Sequence, residues 1–252
     1  MSQKLVLPGR FSGRARQSLR NVFIHMPTLI WVEKGAKQLW WQEQTLTLTA
    51  SHWLLVPAGT SLTFSNEPSA GQFTSRTLGL LSPPEMAAGD YADIASAPPI
   101  LAVDGTLSWY FDTLYQMPTL CHSAQQHLLQ GFYAQLRHHG ALGGLFPADR
   151  ESLVDKLSRY FAAEPGRDYQ LEQVCRTFHM SRATMTRKLA AQQTGFRPLL
   201  TRIRMMHALS LLQQDYSALD TALACGYQSE ARFSARFRQM FGLTPKQYRQ
   251  TL

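Results

Sequence analysis

No run among the 252 residues approaches the roughly 18 consecutive apolar side chains that a membrane-spanning helix needs. The opening stretch, MSQKLVLPGRFSGRARQ, is basic without an apolar core, so it does not read as a signal peptide, and a cytoplasmic protein is expected. Cysteine is scarce: Cys121, Cys175 and Cys225 are odd in number and far apart. That excludes a disulfide framework and a CxxC metal knuckle, and leaves the thiols as small hydrophobes. His25 and His52 stand alone, no His-x-His or HExxH pair occurs, and the pairs His122/His127 and His138/His139 lack carboxylates at ligand spacing. No metal and no other cofactor is expected. Charged residues are only 17% and hydrophobic ones 44%, which argues against disorder and coiled coil and for a buried core.

What is present is unevenly distributed. Residues 1–149 hold nine basic and nine acidic side chains, and residues 150–252 hold sixteen basic and eight acidic. The whole net charge of +8 therefore sits in the second part, as expected of a polyanion-binding module joined to a neutral one.

The two parts also differ in period. From Thr28 to about Leu81 the pattern is strand-like. TLIWVEKGAKQLWW gives two segments around a hairpin-like Glu33-Lys34-Gly35 turn, QTLTLT alternates, and WLLVPAGTSLTF and QFTSRTLGL follow. Such short strands suggest a small barrel or sandwich. The basic stretch ahead of them (Lys4, Arg10, Arg14, Arg16, Arg20) reads as an arm, folded over the barrel or disordered. After Ser96-Ala97-Pro98-Pro99, helical spacing begins: Leu107, Tyr110, Phe111 and Leu114, then Leu128, Leu129, Phe132 and Leu136. These stripes need a partner, either the barrel or a second subunit. HHGALGGLFPADR reads as a linker, dividing the chain into residues 1–140, 141–149 and 150–252.

The last part is all helical and contains one unit twice. A short helix (Leu171, Val174, Cys175, Phe178) is followed by a turn and a helix that Ser181 caps, with Met185 and Leu189 inward. A second short helix, opened by Ser217 with Asp220 as a capping box, ends at Gly226, and Ser229 caps the next, with Phe233, Phe237, Met240 and Phe241 inward. TPKQ opens a last helix. Two helix-turn-helix units are thus expected. The helix between them, about 17 residues, spans roughly 25 Å. With the width of the flanking units, the two second helices could stand about one DNA turn apart, roughly 34 Å.

At these residues the sequence resembles the AraC/XylS family of bacterial transcription regulators. ALACGYQSEARFSARFRQMFGLTPKQYR is similar to the family's C-terminal signature in its Gly-Tyr pair, Ser229, two Phe four apart and the Gly-x-Thr-Pro-x-x-Tyr-Arg ending. LEQVCRTFHMSRATMTRKLAAQQTGFRPLL matches more loosely. Many members carry Arg where this chain has Ala235, and here Arg236 comes one position later. The resemblance implies an α+β two-domain protein. Its N-terminal part would be a cupin-like β-barrel with appended dimerisation helices, and its C-terminal part an all-α domain with two helix-turn-helix units. It also implies promoter DNA and RNA polymerase as partners, with activation favoured, a small-molecule effector and a homodimer.

Off the buried faces of the second helices stand Arg182, Thr186, Arg187 and Arg232, whose donors suit base edges. Arg236 and Arg238 suit phosphates. Ser181 and Ser229 are caps that can also meet a phosphate. Trp31, Trp40 and Trp53 are candidates to line an effector pocket, although filling the core is the simpler role. A DNA-repair enzyme with the same helix pairs would need an activated cysteine, and Cys121 has no basic or Cys/His flank. A non-enzyme is expected. The competing possibility is a ligand-independent regulator whose barrel mediates only protein–protein contacts.

Overall fold

A computed structural model of the chain describes residues 4–41, 44–90, 100–147 and 152–252. Among the described residues nine strands come first: β1 (Val6–Gly13), β2 (Gln17–Phe23), β3 (Thr28–Lys34), β4 (Ala36–Trp41), β5 (Gln44–Leu48), β6 (His52–Val56), β7 (Ser61–Glu67), β8 (Phe73–Leu80) and β9 (Ile100–Ala102). Ten helices follow: α1 (Gly105–Gln116), α2 (His122–His138), α3 (Leu142–Leu145), α4 (Leu153–Ala163), α5 (Leu171–Thr177), α6 (Arg182–Ala191), α7 (Phe196–Gln213), α8 (Ala218–Ala224), α9 (Glu230–Phe241) and α10 (Pro245–Arg249). The Pro-rich crossing at 96–99 and positions 148 and 149 of the expected linker lie outside the described residues.

The strands form two antiparallel sheets, β1-β8-β3-β6-β9 and β2-β7-β4-β5. This corrects the β-barrel that the resemblance implies, in favour of the sandwich alternative: among the described residues no ladder joins the two sheets. It also corrects the turn at Glu33-Lys34-Gly35. β3 pairs with β6 and β8, whereas β4 pairs with β5 and β7, so that turn carries the chain from one sheet to the other. Gly35 takes a left-handed φ of 78° there, and a Cβ on it would run into the Glu67 carbonyl. A hairpin and a crossing have the same local signature, and the partner is chosen by packing.

The basic N-terminal stretch is no arm. Its residues make β1, an edge strand of the first sheet paired from Val6↔Leu80 to Gly13↔Phe73, and β2, an edge strand of the second.

The first sheet is buried on both faces. One face (Ile30, Val32, Leu54, Val56) meets the second sheet across a shared core, and the other (Leu29, Trp53, Leu55, Leu78, Leu80) is covered by α1, α2 and α3. Hence after His52 β6 reads as the unbroken apolar run WLLV, as a strand covered on both sides does. Arg76 fixes the cover, pairing with Glu33 at 2.7 Å and with Asp112 of α1 at 2.8 Å. The first residues of the expected linker, Leu142–Leu145, form a buried helical turn in this same cluster.

In the C-terminal part, α4, α5, α6 and the first half of α7 enclose one core, with Phe161, Met185, Leu189 and Leu199 at its centre. The second half of α7 packs with α8, α9 and α10 through Phe233, Phe237, Phe241 and Tyr248. That second core is continuous with the interior between the sheets. Where the two domains meet, Asn21 donates its side-chain amide to the Met240 carbonyl at 3.2 Å. The backbone amides of Arg14 and Ala15 both reach the Thr251 carbonyl.

Candidate nucleic-acid interface

Each helix pair is built by local rules that set its second helix outward. α5 ends at Thr177, and His179 then adopts φ 51°, which reverses the chain before Met180. Ser181 accepts the Thr184 amide at 3.1 Å, starting α6. In the second pair Gly226 takes φ 74°, where L side chains are strained, and ends α8. Ser229 then caps α9 by accepting the Arg232 amide. The expected capping box at Ser217 and Asp220 is half realised: Ser217 accepts the Asp220 amide, while its hydroxyl donates to the Asp220 carboxylate. The box at Thr244 and Gln247 has both halves.

On α6, Met185 and Leu189 are buried, and Arg182, Thr186 and Arg187 are exposed. Arg182 reaches Glu172 of α5 at 3.0 Å. That exposed pair contributes little, so the guanidinium is free to exchange it for a better acceptor. On α9, Phe233, Phe237 and Phe241 point inward, and Arg232, Arg236 and Arg238 are exposed. Arg236 and Arg238 leave α9 on different sides. Two residues apart on a helix is about 200° of rotation, and Arg236, not Arg238, shares a cleft with Arg232 and Ala235.

That cleft, about 680 Å³, lies between α7 with the α4–α5 loop and the α8–α9 turn with α9. Arg197 and Arg204 of α7 line it together with Arg232 and Arg236 of α9, against one acidic side chain, Asp168. Arg197 and Arg204 do not stand out in the sequence, because nothing in their spacing tells a cleft-facing arginine from a solvated one.

A second cavity, about 460 Å³, lies between the sheets and the C-terminal helices. Phe23, Ile24 and Phe64 line it from the strands, Ile203 and Met206 from α7, and Tyr248 from α10. Its one ammonium is Lys37, which is buried and donates to Asn66 Oδ1 at 2.5 Å, with the Phe64 ring centroid 3.5 Å away. The lining contains no carboxylate, and burial pushes the Lys37 pKa down to about 7. His25 and His207 also line the cavity. Burial lowers both, His25 to about 4, so each is neutral near pH 7.

None of the three tryptophans lines this cavity. Trp31 and Trp53 join Phe111 of α1 in an aromatic cluster on the other face of the first sheet. Trp40 is 43% exposed and borders a groove beside Phe241 and Gly242. Lys37 was the legible alternative. In the alternating strand AKQLW it shares the inward face with Leu39, and a lysine at an inward position is rarely idle.

Residues 174–251 match a family model described as a helix-turn-helix domain. The C-terminal domain is of the AraC-type helix-turn-helix family. Among similar proteins, the HTH-type transcriptional regulator YdeO of Escherichia coli is 32% identical over 95 residues, 38% of this chain and 38% of its own length. The HTH-type transcriptional activator RhaR of Klebsiella pneumoniae is 34% identical over 117 residues, 45% of this chain and 41% of its own. The chain thus spans about two fifths of the length of these relatives. Over the whole chain the fold is similar to that of ToxT from Vibrio cholerae, solved with an unsaturated fatty acid bound. The TM-score is 0.67 with 16% identity, covering 100% of this chain and 97% of that one. The likeness places an N-terminal β-sheet domain ahead of the helical AraC-type domain in one architecture. The named relatives are transcriptional regulators, a class without catalysis. Among the described residues no helix is long and apolar enough to cross a membrane, and no group of three or more His, Cys, Asp or Glu stands ready to hold a metal.

Proposed function

We propose that the chain is a sequence-specific transcription regulator of double-stranded promoter DNA, with no enzymatic step. Residues 150–252 are its DNA-binding domain, 141–149 the linker, and 1–140 a cupin-like domain that senses an effector and dimerises. The helix pairs α5–α6 and α8–α9 are two helix-turn-helix units whose second helices enter successive major grooves. The observation that carries this reading is the repetition itself. Two serine-capped, arginine-bearing helices stand outward on one rigid connector, α7, whose 18 residues extend about 27 Å. Arg182, Thr186, Arg187 and Arg232 read base edges, Arg236 and Arg238 hold phosphates, and Ser181 and Ser229 set the helix N-termini against the backbone. The printed name of RhaR, an activator, supports activation through contact with RNA polymerase. Trp109, 55% exposed on α1, supports a face for a second copy.

The interdomain cavity is the effector site, and it takes an apolar molecule bearing a carboxylate. A buried ammonium without a counter-ion in a largely apolar cavity is costly, and a carboxylate would relieve it. That ToxT binds an unsaturated fatty acid supports the same chemistry.

The test is selection of duplexes from a random library by the full-length protein, repeated at rising salt, since the electrostatic part of affinity falls with salt. One enriched sequence class with two half-sites is expected, with its affinity altered by added fatty acid. Recovery of no sequence above the random background would overturn the regulator reading. Enrichment indifferent to any apolar carboxylate would leave the N-terminal domain a protein–protein module.

A further inference from the structure

The cleft between α7 and α9 is a built feature of the fold. Its floor is set by the α4–α5 loop pressed against the turn that ends α8. A Cβ on Gly166 would collide with the Ala224 carbonyl, and one on Gly226 would lie 2.6 Å from the Gly166 carbonyl. Arg204 pins that contact, donating Nε to the Pro165 carbonyl at 3.0 Å and Nη2 to the Arg167 carbonyl at 2.9 Å. The Cys225 thiol donates to the Arg204 carbonyl at 3.3 Å. Each half of the domain thus holds the other without a mobile linker.

Over this floor three further arginines project. Arg236 is steadied by Gln239 at 2.7 Å, Arg197 lies beside the Phe196 ring, and Arg232 has no acidic partner among the described residues. The lone acid, Asp168, is held by the Gln170 amide at 2.7 Å. Gln228, Arg232, Ala235, Arg236 and Gln239 form one stripe of α9 and its leading turn, so the cleft continues the face that carries Arg232.

We propose that this cleft seats the sugar-phosphate backbone of the DNA segment lying between the two half-sites, with Arg197 and Arg236 as its phosphate ligands and Arg204 as the residue that positions them. The proposal rests on the DNA-binding reading and adds to it a contact that neither reading helix makes through bases. Arg197, Arg232 and Arg236 are exposed and line an open cleft that runs from α7 and the α4–α5 loop to α9, which fits a strand running through it rather than a small phosphate enclosed on all sides.

Binding of the full-length protein to a random-sequence 30-base-pair duplex, and to any duplex recovered by selection, tests this. The double variant Arg197→Gln/Arg236→Gln replaces two exposed side chains, and its thermal midpoint reports that the fold is kept. Two lost phosphate contacts should lower the slope of log affinity against log salt by about 1.8, or roughly 0.9 each, on both duplexes. Neutral methylphosphonate linkages between the half-sites should weaken wild type at least tenfold but cost the double variant almost nothing more. Equal losses for both proteins, or an unchanged salt slope, would overturn the seat while leaving the DNA reading intact. Failure of both proteins to bind any duplex would overturn that reading and this one with it.

Discussion

The two helix pairs have the same local design and opposite attachments. The second shares one hydrophobic core with the interior between the sheets, from Leu39 and Phe64 to Phe233 and Phe237. β2 lies along α9, and the Asn21 and Arg14 contacts close its edge. The first pair has its own core, which among the N-terminal residues takes in only Phe23. α9 is therefore held by the N-terminal sheets, and α6 is held through α4 and α7. The cavity touches both cores, reaching the first through Phe23, Ala162 and Ile203 and the second through Leu209 and Tyr248.

The largest effects should come from breaking the two cores separately. Phe237→Ala should cost about 3–5 kcal/mol, and hydrogen exchange should show faster amides in β2 and β7 as well as in α9. Leu189→Ala, at about 2–5 kcal/mol, should loosen α5 and α6 and leave the sheets protected. Equal spread from both sites would remove the asymmetry.

Lys37 sharpens the comparison by titrating the cavity itself. Its ammonium is normal in the unfolded chain, near 10.5, and is pushed down to about 7 in the folded one. Between those values the unfolded chain holds the extra proton, so the penalty is fully present below pH 7 and is relieved as pH rises toward 10.5. Urea midpoints should climb over that window in wild type. In Lys37→Met they should be higher at pH 7 and flat above it. A wild-type profile without that climb would show that the amine is not desolvated.

Smaller and more specific effects belong to the reading helices. Arg232→Ala and Arg182→Ala should each cost about 1–3 kcal/mol on a selected site and relax its sequence at one half-site. A uniform loss on all sequences would make either residue a phosphate contact.

Much of the C-terminal domain was legible because its signals are local. Ser181, Ser229 and Thr244 cap where helices start, Gly226 stops one, and the Phe233–Phe237 spacing gives the buried face. The N-terminal domain was less so, because sheet partnership is decided at a distance. Glu33-Lys34-Gly35 looks like a hairpin but changes sheets, and β1 at the basic start of the chain pairs with residues 60 to 74 positions away. The tryptophans drew attention as ring systems, yet the cavity formed around Lys37, visible only through its place in an alternating strand. The cleft was hidden for a different reason: Arg197 and Arg236 meet only once α7 has set the two units.

Guanine-methylation interference on a selected duplex tests the central claim most directly, because the methyl group sits at N7 in the major groove. Two interfering patches on one face of the duplex, about one helical turn or 34 Å apart, are predicted, with Arg182→Ala erasing one and Arg232→Ala the other. A single patch, or two that respond together to either substitution, would contradict a molecule that reads two grooves with two separate helices.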